Sequence, residues 1–258
     1  MKTVSRLSVA PVKGMALVDP REVVVARYGV STNRRFYLID DQGRRYAQIR
    51  EGTLVKIVPE YDERADALTM RFPDGQVVGG EIALADELTT DFYGRPVRGR
   101  VVVGPWAGAV SEYVGRSLRL VKANEPGAGV DRGRGPVSML ADASLDELAR
   151  HAGVDGVDPR RFRMLIGIAG CEPHEEDRWL GRRVRVGSAV VTLDEQVARC
   201  AITTQNPETG TPDLDTLREI KNYRGTRDDG NGKHIDFGVV GGVEKPGVVR
   251  VGDPVEPE

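Results

Sequence analysis

The apolar residues of this chain come in short, β-branched runs cut off by turn-forming residues, a pattern that builds sheets. In the N-terminal half, residues 3–9, 21–26, 35–40, 54–58, 67–72, 80–85 and 96–103 read as strands. Asp41-Gln42-Gly43, Phe72-Pro73-Asp74-Gly75 and Tyr93-Gly94-Arg95-Pro96 supply the breaks. Such spacing predicts an all-β barrel or sandwich. A short helix is expected at 106–115, where Val110 and Val114 lie four apart, followed by a strand at 118–121. The chain is therefore expected to divide into residues 1–118 and 119–258, each mainly β with short helices.

The second half carries more punctuation. Residues 124–136 are a long run of turn-formers, either an insertion or a functional loop. Ser144 and Glu147 have capping-box spacing ahead of Leu145, Leu148 and Ala149, and Gly153 offers a stop, so a helix is expected there. Leu214, Leu217 and Ile220 recur as on a helix face, with Asp213 as a cap. Strands are expected at 190–197, 235–240 and 248–255, and residues 223–233 read as a loop.

Composition narrows the class. A chain of 258 residues that is 40% hydrophobic buries a sizeable core. Its net charge of −2 gives no global field favouring nucleic acid or an anionic membrane. No apolar run approaches membrane-spanning length, and Met1-Lys2 leads straight into a strand-like segment, so the expectation is a cytoplasmic protein without a membrane span. Cys171 and Cys200 lack CxxC spacing and are too few to ligate an iron–sulfur cluster. Cys171 and His174 have the spacing of a metal half-site, but no further histidine completes it.

Chemistry points to Ala198-Arg199-Cys200-Ala201-Ile202-Thr203-Thr204-Gln205-Asn206-Pro207-Glu208-Thr209-Gly210. Here a strand-like run meets a turn, placing Cys200 near a strand end. Its side chain is either a small buried hydrophobe or a soft ligand for copper, zinc, iron–sulfur or molybdenum, and Arg199 beside it favours the thiolate or an anion. Lys13, after Pro11, falls in a loop; on composition alone it is a surface lysine. Arg160, Arg161 and Arg163 read either as a solvated face or as an anion site.

Arg-Cys, Thr-Thr and Asn-Pro-x-Thr-Gly together resemble the signature of MOSC domains, named for the C-terminal part of molybdenum cofactor sulfurases. The resemblance extends to Pro11-Val12-Lys13-Gly14, Arg34-Arg35-Phe36-Tyr37, Glu176-Asp177-Arg178-Trp179, Phe237-Gly238-Val239 and Lys245-Pro246-Gly247, covering nearly the whole chain. It is similar to the amidoxime-reducing members of that group, which carry a MOSC-type β-barrel ahead of the MOSC domain. The resemblance implies a molybdenum cofactor (a molybdopterin) in a cleft between the domains. Cys200 is then the metal ligand and catalytic centre, and Lys13, Arg35, Arg163 and Arg199 clamp the phosphate and pterin. The family pattern continues after its Phe-Arg with Pro-Asn, where this chain has Met164-Leu165, and Arg134-Gly135 stand where relatives have hydroxyl residues; Arg134 is a substitute phosphate contact.

The reaction implied is reduction of an N-hydroxylated compound. The chain has no dinucleotide-binding glycine fingerprint after a strand and no haem attachment motif, so the electrons come from an external flavin or ferredoxin type of protein. Two other classes stay open: a cofactor carrier or sulfur-transfer protein with a Cys200 persulfide, and a non-catalytic module whose arginines bind anionic partners.

Overall fold

The computed structural model describes residues 1–126, 135–230 and 232–258. Strands are their commonest regular structure, at 43%, beside three α-helices, Pro105–Val114, Asp142–Ala152 and Thr216–Arg224. The expected β-rich class with short helices is what the chain adopts. No helix among the described residues is long and apolar enough to cross a membrane. The expected contact at Arg134 and most of the 124–136 loop lie outside the described residues.

Seven strands form the principal sheet, in the order Thr3–Leu7, Ile166–Ala169, Val137–Ala141, Asp236–Lys245, Ala189–Ala198, Arg183–Val186 and Val255–Pro257. Its edges nearly meet: Thr3 bridges Pro254, and the Val255 N–H donates to the Lys2 carbonyl at 3.0 Å. The result is a nearly closed barrel, which protects strand edges that would otherwise pair with other chains. Alternate residues such as Val4, Ile168, Met139, Val191 and Val239 fill its interior. Trp179, a packing residue, is buried against them. One neighbouring pair, Val137–Ala141 and Ile166–Ala169, is parallel; parallel neighbours need a crossover, and the helix Asp142–Ala152 lies in it.

The first strand of this barrel comes from the far N-terminus, and Glu22–Val25 also pairs with Gly247–Arg250. Residues from both ends of the chain therefore share one core. A second body stands on a five-stranded sheet, Arg45–Tyr46, Phe36–Asp40, Leu118–Ala123, Arg95–Val103 and Ala83–Phe92, with a smaller sheet of Val58–Asp62, Ala67–Arg71 and Val77–Glu81. The helix Pro105–Val114 seals it: Trp106 is buried against Leu54, Leu68 and Met70, and its indole N–H donates to the Leu68 carbonyl at 3.0 Å.

Several expected elements differ. Residues 54–58 do not form a strand; Gly52–Lys56 is a 3-10 turn in which the Glu51 carboxylate accepts from the Thr53 hydroxyl at 2.5 Å. Leu54 and Val55 are both buried, which a helical turn allows and a strand with one wet face does not. The helix at Ser144 begins two residues earlier, at Asp142, and the capping box does not form. Ser144 instead binds buried Glu176, and Glu147 pairs with Arg150. The cap of the last helix is Asp215, which accepts from the Arg218 N–H, while Asp213 is drawn off by Arg161. The strand expected at 248–255 is cut by a turn, because Asp253 accepts from the Arg250 N–H at 2.7 Å.

Candidate functional site

Cys200 lies two residues past the end of the strand Ala189–Ala198. Arg199, between them, anchors that strand end: its Nε donates to the Phe237 carbonyl at 2.7 Å, Nη1 to the Phe162 carbonyl at 3.0 Å and Nη2 to the Met164 sulfur at 2.9 Å. Its guanidinium also lies over the Phe162 ring, 5.2 Å from the centroid. The neighbouring Gly238 has φ +76°, and a Cβ there would fall 2.9 Å from the Met139 carbonyl and 3.3 Å from Arg199 Nη2. The Phe-Gly pair is thus what lets Arg199 approach.

With Arg199 tied down, Cys200 emerges exposed, next to the 3-10 turn Ala201–Thr204. Of the two sequence readings, the buried hydrophobe is excluded. The Thr203 hydroxyl is 3.1 Å from the Cys200 carbonyl and 2.7 Å from the Thr216 hydroxyl, so the threonines brace the turn. Cys171 is the opposite case. It packs on the barrel core, and burial, with Glu175 and Glu176 nearby, pushes its thiol up to about 12.

Cys200 lines a hollow of about 200 Å³ together with Lys13, Arg34, Arg161, Arg163 and Arg199. Among the described residues no carboxylate lines it. Lys13 enters from the loop after the first strand. Arg163 has φ +52°, following the 3-10 turn Pro159–Phe162, and its Nη2 donates to the Met15 carbonyl at 2.8 Å. Arg34 has φ +55° and reaches across to donate to the Arg163 carbonyl at 3.2 Å. The hollow is therefore walled by residues remote in sequence.

Of the expected set, Lys13, Arg163, Arg199 and Cys200 come together, and Arg35 does not join the lining. Phe36 begins a strand with its ring in the core, and the kink at Arg34 sends the two arginine side chains different ways. Arg35 Nη1 lies 3.4 Å from the Asn124 carbonyl, and its charge helps lower the Asp66 carboxyl after Lys122 and Tyr61. Arg34 occupies the cleft in its place. Its adjacency was the available signal.

Arg161 is held as a buried cation: Nη2 meets Asp213 at 2.6 Å, Nη1 donates to the Thr204 carbonyl at 3.2 Å, and only 7% of the side chain is exposed. The Asn-Pro-x-Thr-Gly turn sets this up. Asn206 Oδ1 accepts from the Glu208 N–H at 2.8 Å and its amide donates to Asp213 at 2.7 Å. Gly210, at φ +79°, lies so close to Gly52 that a Cβ would fall 2.0 Å from the Gly52 carbonyl oxygen. Beside the basic hollow is a second, of about 500 Å³, which shares Gln48, Arg161 and Arg163 and continues to Lys56, Gln205 and Glu208. Gln48 had no sequence signal.

These residues fit an anionic pterin bearing a soft metal: one exposed thiol, a wholly cationic charged lining, and a buried Gln48 side-chain oxygen without a partner.

Residues 1–114 match the MOSC N-terminal beta barrel domain, and residues 114–256 match the MOSC domain. The mouse mitochondrial amidoxime-reducing component 1 is 35% identical over 46% of this chain, an alignment spanning only 36% of that relative's length. The bovine mitochondrial amidoxime reducing component 2 is 28% identical over 98% of this chain and 82% of its own. The crystal structure of the YUAD protein from Bacillus subtilis superposes on all of this chain and 96% of its own at 13% identity, with a TM-score of 0.48.

Proposed function

Because the chain belongs to the MOSC-domain family, we propose that it is a molybdenum-cofactor-dependent reductase of N-hydroxylated compounds. The observation that carries this reading is an exposed thiol, Cys200, in a hollow whose charged lining is entirely cationic. When bound, the molybdenum pterin supplies the two-electron redox centre. The net reaction takes an amidoxime, two electrons and two protons to an amidine and water. An external flavin or ferredoxin type of protein delivers the electrons.

The chain's residues have distinct tasks in this scheme. Cys200 holds the metal through its sulfur, at a strand end made rigid by Arg199. Lys13 meets phosphate as a compact charge, and Arg34 and Arg163 do so with planar forks. Phe162 backs Arg199, so that the cationic wall keeps its shape before anything binds. Preorganisation of this kind lowers the ordering cost of binding.

The test is metal and pterin analysis of the purified chain, followed by turnover of benzamidoxime with an artificial one-electron donor. Stoichiometric molybdenum with turnover supports the reading. Full molybdenum occupancy without turnover under any donor favours the second reading, a carrier with a Cys200 persulfide, which the exposure of that thiol also permits. Absence of both metal and pterin from the chain, even when it is made in cells rich in the cofactor, would sink the reductase and the cofactor-carrier readings.

A further inference from the structure

Three residues of the second hollow, two of which also line the first, carry an unusual group of buried polar atoms. Gln48 is 4% exposed and its Oε1 has no hydrogen-bond partner. Gln205 donates through Nε2 to the Gln48 backbone carbonyl at 3.3 Å, which orients its amide and leaves its own Oε1 buried and unpartnered. Arg161, 8% exposed, spends both terminal nitrogens on Asp213 and Thr204, yet its Nε has no partner. Three of the nine such atoms among the described residues are thus gathered on residues lining one hollow. Burying a polar atom without a partner is unfavourable, and a native fold keeps few of them.

Two of these orphans are acceptors and one is a donor. Their complement is a ligand edge offering one acceptor and two N–H donors. We propose that Gln48, Gln205 and Arg161 form a recognition site for a 2-amino-4-oxopyrimidine edge, whose ring carbonyl faces Arg161 and whose ring N–H and amino group face the two glutamines. Two carriers share that edge: the pterin ring, and a guanine base attached to it. The inference rests on the pterin-cofactor reading for its ligand. It adds that the second hollow, alongside the one containing Cys200, holds the heterocycle by hydrogen bonds as well as by charge.

The site predicts opposite changes in the empty and loaded chain. Gln48→Leu removes an unsatisfied acceptor from the empty protein and a bonded one from the loaded protein. The empty variant should melt at or above the wild-type temperature, while pterin loss on dialysis should be roughly threefold to tenfold faster, as expected for one neutral hydrogen bond. Gln205→Leu should behave alike. The experiment measures pterin fluorescence and guanine nucleotide released by denaturation from wild type and both variants, together with melting of the cofactor-free proteins. Cofactor-free wild type and Gln48→Leu are then titrated with 2-amino-4-oxopteridine-6-carboxylate and with GMP. The probe whose binding weakens in Gln48→Leu identifies the carrier. Unchanged pterin retention in both variants, with normal retention in wild type, overturns the recognition site and leaves the cofactor reading intact. A wild-type chain that neither retains pterin nor binds either probe overturns the cofactor reading itself.

Discussion

Glu176 is fully buried, and replacing it with glutamine should stabilise the protein in alkaline solution and not in acid. Both carboxylate oxygens accept from the Ser144 hydroxyl, at 2.9 and 3.1 Å, and the Ala141 N–H is 3.4 Å away. These bonds do not offset the loss of water: burial, assisted by neighbouring Asp177, raises the carboxyl from 4.5 to about 7. The folded state therefore keeps a proton that the unfolded state releases. Stability from this group is fully present below pH 4.5, falls as pH rises towards 7, and is constant above that. At about 1.4 kcal/mol per pH unit, the fall amounts to about 3 kcal/mol. That corresponds to roughly 6–12 °C in melting temperature for a domain of this size. Glutamine is neutral throughout and lacks this loss. The assay is thermal unfolding of wild type and Glu176→Gln at pH 5 and pH 8, and the quantity of interest is the change in their difference between the two pH values, which cancels any pH-independent cost of the swap. It also cancels His174, whose burial lowers its imidazole to about 4 and which contributes with the opposite sign. An equal difference at both pH values, or a variant relatively less stable at pH 8, would refute the reasoning.

Cys200→Ala should abolish amidoxime reduction with a stability change within about 0.5 kcal/mol, since the side chain is exposed, while Cys171→Ala should keep most activity; equal losses in both would contradict the ligand assignment. Pterin retained after gel filtration should fall roughly tenfold or more in Arg34→Ala, which loses a charge-assisted contact, and change little in Arg35→Ala. The reverse ranking would show that the two arginines have been assigned the wrong way round. Gly210→Ala adds a Cβ at positive φ against Gly52 and should destabilise by about 2 kcal/mol or more, read as a fall in melting temperature of roughly 4–8 °C. The loaded protein should be inactive with NADPH alone and active once a flavin or ferredoxin type of donor is added; turnover with NADPH alone would rule out dependence on a partner.

Local chemistry was legible in the sequence because it is written in neighbours. Turn-formers at regular intervals marked the strands, Gly153 stopped its helix with φ +66°, and the Arg199-Cys200 pair stood at a strand end as its flanking residues implied. Long-range competition was not legible. Ser144 has the spacing of a cap, yet a buried carboxylate 32 residues away claims its hydroxyl. Asp213 was likewise drawn from the helix by Arg161, and Leu54 and Val55 went into a helical turn that buries both. Arg34 and Arg35 are equivalent as adjacent letters; a backbone kink at Arg34 and the burial of Phe36 decide which one reaches the cleft. The hollow has no sequence of its own. It exists because the barrel takes its first strand from the N-terminus and so carries Lys13 and Arg34 to Cys200, a closure fixed by packing across the whole chain.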